Sequence, residues 1–499
     1  MINHTVLDGV PVPPTAIEKS VKKLDDSRRN CRDSHIVTIL PRGEAIRNIV
    51  YTGVLDEISR EAKVTLMSVV PNSDLESKMR EHCHEFIGLR ESPEHSLVEN
   101  IREVLDMAHG RWLWSKAAQE RWVVHDIEAN GNGRYWKRAV KKVICRPFAS
   151  RSGLGLLSRI ERASSKALRT TDEYVRLFQE IKPSLVFNGS HVHARVAIQA
   201  VQAAQWLGIP TVGFIFSWDN LTSQGRIIPA YDHYLVWNEG LQNQLLQIYD
   251  FVKPEQVIVT GSPQFDFHFR PEFRWSRREF CAKVGADPKR PIVLYSTGMA
   301  NHMPGEDLVV ESLAKMLRQM KDVGSPQLLV RVYPKDHTNR FDEVKRRNPD
   351  VLFPEIPWER AWLTPHMEDT YLLTNTLRHV ALGINVASTV SLELCMFDKP
   401  VINVGYNPPG LNISPLDYAR YYDFDHYRPV VQSGAVTVAW TEDEMQQLLR
   451  KALTQPQADR AKRQMLIESM FGHRLDGYSG TRVAHCLVKL AEMGSLAYA

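Results

Sequence analysis

Short apolar runs alternate with helical stretches along this chain, and the alternation stops near residue 270 and then begins again. That pattern constrains the fold more than any single motif. Brief apolar runs bounded by polar loops read as strands buried on both faces, and strands joined by helices make parallel sheets. In the first half the runs are His35–Leu40, Val64–Val70, Leu185–Asn188, Thr211–Phe216, Tyr234–Trp237 and Val257–Thr260, with a helix over His191–Leu207. A polar, arginine-rich stretch at Phe267–Arg278 reads as a linker. Beyond it, strands are expected at Ile292–Ser296, Leu328–Val332, His379–Gly383 and Val401–Val404, and helices at Asp307–Lys321 and Val390–Met396. The expectation is an α/β chain of two doubly wound, Rossmann-like domains facing a cleft.

At 499 residues the chain holds two or three domains of ordinary size. Apolar residues make up 43% and charged residues 24%, which excludes collagen-like and broadly disordered classes. No apolar run reaches the roughly 18 residues that span a bilayer. The opening MINHTVLDGVPVPPTAIEKS lacks the apolar segment of a signal peptide and is expected to be an irregular arm over residues 1–33. The six cysteines (Cys31, Cys83, Cys145, Cys281, Cys395, Cys486) are far apart and form no C-x-x-C pair. They read as reduced thiols of a cytoplasmic protein, not as a disulfide framework or zinc site.

Lys and Arg number 62 against 58 Asp and Glu, a net charge of only +4, but the charge is unevenly placed. Arg134–Arg169 carries eleven cations and one acid, Glu161, within a helical insertion over about 95–180. Arg134, Lys137, Arg138, Lys141 and Lys142 share one face of a helix that Asn132 caps and Pro147 stops. Tyr135, Trp136, Ala139, Val140, Val143 and Ile144 fall on the other. Such a helix either packs on its own domain or lies on an anionic membrane, with Arg134, Trp136, Lys137, Arg138 and Lys141 as the contacts. The small overall charge and the lack of a nucleic-acid motif speak against nucleic acid as a partner.

In open parallel sheets, ligands bind beyond the carboxyl ends of strands, so loops after strands hold the candidate site. Asn385–Glu393 opens a helix with Ser388 and Thr389 as caps, and Glu393 lies one turn further on. Arg331, Lys335 and His337 stand together after one strand, where cations neutralise a phosphate leaving group. Ser296, Thr297 and Gly298 let a ligand approach the backbone. Phe216–Gly225 places Asp219 and Asn220 in one loop with Trp218 as an aromatic platform, and Arg42 and Glu44 follow the first strand. A carboxylate facing the cleft is what an inverting transferase needs to deprotonate an acceptor hydroxyl; Glu44, in the loop after the first strand, ranks ahead of Asp219 for that role. His191 and His193 are too few for a metal site, and His191 is expected to line the cleft. No P-loop, zinc-protease or nucleophile-elbow motif is present.

The two-domain order resembles a GT-B glycosyltransferase of the bacterial surface-polysaccharide type. So do the stretches ILPRGEAIRN, GIPTVGFIFSWDNLTSQGR, VIVTGSPQFD, LLVRVYPKDH and NVASTVSLELCMFDKPVINV. That group includes relatives of the CDP-glycerol glycerophosphotransferases and UDP-sugar 2-epimerases. The resemblance implies an acceptor domain over 34–270, a nucleotide-donor domain over 271–478 and a final helix within 479–499 that returns to the first domain. It implies Ser388, Thr389 and Glu393 at the donor phosphates and the ribose or sugar, and Arg331, Lys335 and His337 where the leaving group is stabilised; from their loops, Ser296, Thr297 and Gly298 are expected on the donor and Arg42, His191, Trp218 and Asn220 on the acceptor. Catalytic roles would fall to Glu44, Asp219 and His337. The implied activity is sugar transfer from a UDP-, CDP- or CMP-linked donor to a cell-surface glycan or lipid-linked acceptor. No metal or other bound cofactor is expected, and the place of action is the cytoplasm or the inner face of its membrane. Polyol-phosphate transfer, 2-epimerisation of a nucleotide sugar, and a non-catalytic membrane adaptor are the alternatives. The pattern departs from many retaining relatives, since Val401 stands where they carry a second Glu.

Overall fold

The computed structural model describes residues 34–69, 72–89, 93–191 and 195–496. The arm expected over 1–33, with Cys31, and His193 lie outside the described residues. The first sheet comprises β1 (His35–Leu40), β2 (Lys63–Ser68), β3 (Glu85–Gly88), β4 (Leu185–Asn188), β5 (Thr211–Phe214), β6 (His233–Val236) and β7 (Val257–Val259). They lie in the order β3-β2-β1-β4-β5-β6-β7, and every pairing is parallel. Ile36 is paired with Val64 on one side and Leu185 on the other. All residues of β1, β4 and β5 are buried, as a sheet covered on both faces requires.

The second half runs through β8 (Ile292–Ser296) and β9 (Gln327–Arg331), then a two-residue antiparallel ribbon, β10 (Trp358–Glu359) and β11 (Thr364–Pro365). It continues through β12 (Leu382–Asn385), β13 (Val401–Val404) and β14 (Thr437–Ala439). The second sheet is parallel throughout, in the order β14-β13-β12-β8-β9. In each sheet the order reverses beside the first strand, between β1 and β4 and between β8 and β12, which opens a crevice at the carboxyl edge.

Some boundaries differ from the sequence expectation. The strand expected at His379–Gly383 begins at Leu382, because the helix Met367–His379 keeps its buried stripe through Leu377 and Val380. Glu44 is not in a loop: it is the second residue of the helix Gly43–Ile49. A Cβ at Gly43 would lie 2.2 Å from the Thr364 Cα, so only glycine lets this helix touch the ribbon. Two helices, Val54–Ser59 and Ser479–Leu496, pack together over β1 and β4, and so the chain's last helix lies on the first sheet.

The basic helix spans Tyr135–Ile144, and Asn132 closes the preceding helix Lys116–Gly131 instead of capping it. Its orientation is the reverse of the expected one. Arg138 and Lys142 turn inward to Asp126, each at 2.5 Å, and Lys141 pairs with Glu103. The acids on the two neighbouring helices draw these cations in. The apolar face is left outside: Trp136 is 64% and Val143 61% exposed, with Tyr135, Val140 and Ile144 also exposed. Arg138 and Lys141 therefore do not form an outward cationic face. Among the described residues no helix is long and apolar enough to cross a membrane.

Candidate active site

A cleft of about 510 Å³ lies between the two sheets, and its walls are loops at the carboxyl ends of β1, β5, β7, β8, β9, β12 and β13. Of the residues singled out from sequence, Glu44, Trp218, Asp219, Ser296, Thr297, Gly298, Arg331, Ser388, Thr389 and Glu393 line it. The other candidates stand behind or away from it. His337 is exposed and outside the lining, because the chain turns away from the cleft after Pro334. Asn220 is buried and its Oδ1 accepts the Ser217 N–H at 3.1 Å, so it fixes the loop. His191 lies outside the lining and hydrogen-bonds through Nδ1 to the Phe214 carbonyl at 3.1 Å. Burial holds its pKa down at about 4.

Arg42 and Lys335 are spoken for by Glu44. One Glu44 oxygen lies 3.1 Å from Arg42 Nε and the other 2.6 Å from Lys335 Nζ. Burial pulls the Lys335 pKa down, but the Glu44 carboxylate and Tyr333 outweigh it, and the value ends above that of a free lysine. The pair joins the first half of the chain to the second across the cleft. Trp218 does the same: its Nε1–H donates to Thr389 Oγ1 at 3.1 Å, and its ring meets His426 edge-on at 5.1 Å. Only 6% exposed, Trp218 is a clamp and not an open aromatic platform. Arg420 and Glu120, 2.8 Å apart, add a third link.

Asp219 accepts hydrogen bonds from the Ser217 hydroxyl at 2.5 Å and the Ser223 hydroxyl at 2.7 Å. No cation forms an ion pair with it among the described residues, which leaves it an uncompensated carboxylate at the cleft. On the opposite wall, Arg331 is 7% exposed and its Nη2 donates to Asp369 at 2.8 Å. Its Nη1 is buried and has no hydrogen-bond partner. The same holds for His426 Nδ1, also on the wall. Buried polar atoms are nearly always partnered, so these two orphaned nitrogens stand out on the cleft wall. Ala387, between β12 and Ser388, has φ +43°, a strained conformation held at the same wall.

Sequence reasoning missed the supports. His268 Nε2 lies 3.0 Å from Glu393 Oε2, and its Nδ1 3.2 Å from Thr374 Oγ1, so a histidine within the stretch that reads as a linker holds the cleft glutamate. Glu306, fully buried, accepts from the Gly298 N–H at 2.8 Å, the Tyr295 hydroxyl at 2.9 Å and Arg340 Nη2 at 2.9 Å. Burial pushes its pKa up to about 7. Arg340 also donates to the Gly298 and Met303 carbonyls, which pins the loop after β8 to the loop after β9. A glutamate at the start of a helix carries no signal of this role, because its partners come from two other segments, β8 with its following loop and the loop after β9. Among the described residues no group of three His, Cys, Asp or Glu side chains is placed to hold a metal ion.

No protein-family model matches the chain, and no curated protein matches it in sequence. Solved structures match it in fold. A UDP-GlcNAc 2-epimerase from Methanocaldococcus jannaschii has a TM-score of 0.50 at 10% identity, over 91% of this chain and 99% of that one. A UDP-GlcNAc 2-epimerase from Neisseria meningitidis, bound to UDP-GlcNAc, has a TM-score of 0.50 at 11% identity, over 91% and 100%. Another UDP-N-acetylglucosamine 2-epimerase has a TM-score of 0.50 at 13% identity, over 91% and 95%. At such identities the likeness is one of architecture, and with the two parallel sheets it establishes the GT-B fold for this chain.

Proposed function

We propose that the chain is a glycosyltransferase that moves a sugar from a nucleotide-activated donor to a glycan or lipid-linked acceptor. The observation that carries this reading is the division of charge across the cleft. The second half presents a buried guanidinium with a free N–H, Arg331, beside the hydroxyls of Ser296, Thr297 and Ser388. The first half presents an uncompensated carboxylate, Asp219. Arg331 and the hydroxyls take the donor phosphates, and the guanidinium N–H stabilises the negative charge that grows on the leaving group. Glu393, held by His268, accepts hydroxyl hydrogen bonds from the ribose or sugar. Asp219 takes the proton of the acceptor hydroxyl. Glu44 is the lesser candidate for the base, because two cations flank its carboxylate. No step in this scheme needs a metal ion.

The test is a panel of UDP-, CDP- and CMP-sugars, first for thermal stabilisation and then for nucleotide release with and without glycan acceptors. Acceptor-dependent release, abolished in Asp219→Asn with nucleotide affinity kept, supports the reading. Inversion of a nucleotide sugar with no acceptor makes the protein an epimerase, and release of CMP from a CDP-alcohol makes it a polyol-phosphate transferase. A protein that binds no nucleotide is an adaptor.

A further inference from the structure

A second cavity, of about 580 Å³, lies in the first half of the chain and away from the cleft. Its lining includes Arg151, Arg159 and Arg162 from the helix Arg151–Ala167, together with Arg226, Leu156 and Phe251. The two acids of its lining, Glu161 and Asp250, do not balance these cations. Glu161, 3% exposed, is taken by Arg102 at 2.7 Å and by the Gln202 amide at 3.2 Å. Asp250 stands 3.8 Å from Arg151, with both side chains more than half exposed. Among the described residues none forms an ion pair with Arg159, Arg162 or Arg226. Arg226 Nε donates to the Ser158 hydroxyl at 3.2 Å, and its guanidinium lies over the Tyr249 ring. The cavity is thus a cationic pocket with an apolar rim: Leu156 is 52% and Phe251 48% exposed.

The helix that carries three of these arginines follows directly on the inverted basic helix, through the turn Arg146–Phe148. On that helix Tyr135, Trp136, Val140, Val143 and Ile144 stand in water while three cations are turned inward. A helix packed only for its own domain shows the opposite arrangement. An exposed apolar face, joined by one three-residue turn to a helix that carries unpaired cations, is complementary to one surface in particular. We infer that this face docks on an anionic lipid bilayer, with the apolar side of Tyr135–Ile144 entering the interface and the arginine-lined cavity holding the phosphate of a lipid headgroup.

The inference does not rest on the transferase reading, because the test uses neither donor nor acceptor. The whole protein is sedimented with phosphatidylcholine vesicles, and with mixed phosphatidylcholine–phosphatidylglycerol vesicles, at low and high salt. Binding is expected only to the mixed vesicles, and salt is expected to weaken it. Trp136→Ser with Val143→Ser is expected to lower it by more than about tenfold. Arg159→Gln and Arg226→Gln are each expected to lower it about fivefold, the effect of one cation near an anionic surface. Unchanged melting curves show that the variants fold. Equal binding to neutral vesicles, or binding that neither set of variants changes, overturns the inference. So does inorganic phosphate that stabilises the protein as much as a short-chain phosphatidylglycerol does, which makes the cavity a soluble-anion site. Self-association that Trp136→Ser abolishes also overturns it, since the apolar face is then an interface between copies.

Discussion

Glu44 and Lys335 are 291 positions apart in the chain and 2.6 Å apart in space, and their pairing can be measured directly. Each side chain is 19% exposed. An exposed pair contributes about 0.2–1 kcal/mol, whereas hydrogen bonds between charged groups shielded from solvent contribute about 1.5–3 kcal/mol. With four-fifths of each side chain covered, the coupling belongs to the second range, at about 2 kcal/mol. The raised pKa of Lys335 agrees in sign. A lysine whose folded pKa exceeds its unfolded one stabilises the fold fully below the ordinary value of about 10.4, and that stability is lost as pH rises through the folded value. The assay is urea unfolding of wild type, Glu44→Gln, Lys335→Met and the double variant at neutral pH. The single variants also carry the cost of leaving Arg42 or Glu44 less well paired, so the cycle and not either single change isolates the link. A coupling under about 0.5 kcal/mol refutes the reasoning. If the coupling is absent and Glu44→Gln still loses its turnover, Glu44 is the base and not a latch.

Arg331→Met is expected to cost about 2–4 kcal/mol in the transition state for donor cleavage, read from kcat/KM; His337→Ala, on an exposed side chain outside the cleft, should leave the same constants unchanged. His268→Ala and Glu393→Ala should weaken donor use together and with little further loss in the double variant, because the histidine acts through the glutamate; additive losses sink that account. Burial holds His109 down at about 3 and His191 down at about 4. Both are neutral in the fold, so stability is intact above about 6.5 and falls as pH drops toward the folded values, where the unfolded chain takes up protons and the native one does not. His109→Phe, which keeps the stacking on Tyr249, should flatten the acid side of a melting-temperature profile.

Much of the architecture is legible in the chain because strands buried on both faces must be apolar throughout. β1, β4, β8 and β13 stand where their runs predict them. The edge strands β3 and β14 do not announce themselves: Glu85–Gly88 and Thr437–Ala439 are short and partly polar, as edges tend to be. The loops that line the cleft were legible by the rule that ligands bind beyond strand ends, which picks out Asp219, Arg331 and Ser388. What each side chain does was not, because roles are set by partners distant in sequence. Glu44 reads as a free carboxylate until Lys335 and Arg42 are seen to flank it, and Trp218 reads as a platform until Thr389 is seen to receive its N–H. The basic helix shows the same limit. Its two faces follow from spacing alone, but which face points outward depends on Asp126 and Glu103, and no periodicity reports that.

The helix Ser479–Leu496 settles on the first sheet, with Val483, Ala484, Leu487 and Ala491 buried there. Asp266, fixed near the end of the first half, accepts the N–H groups of Ser479 and Gly480 at the start of this helix. On the ribosome this ordering imposes a wait. The first half emerges with one greasy flank bare, over Val54, Leu55 and Ile58, and stays so while the whole second half is made. At bacterial or eukaryotic elongation rates that interval is roughly 10–40 s. During it the nascent chain needs a chaperone or a placeholder contact, and a ribosome stalled in the second half releases a fragment that cannot finish its own first domain.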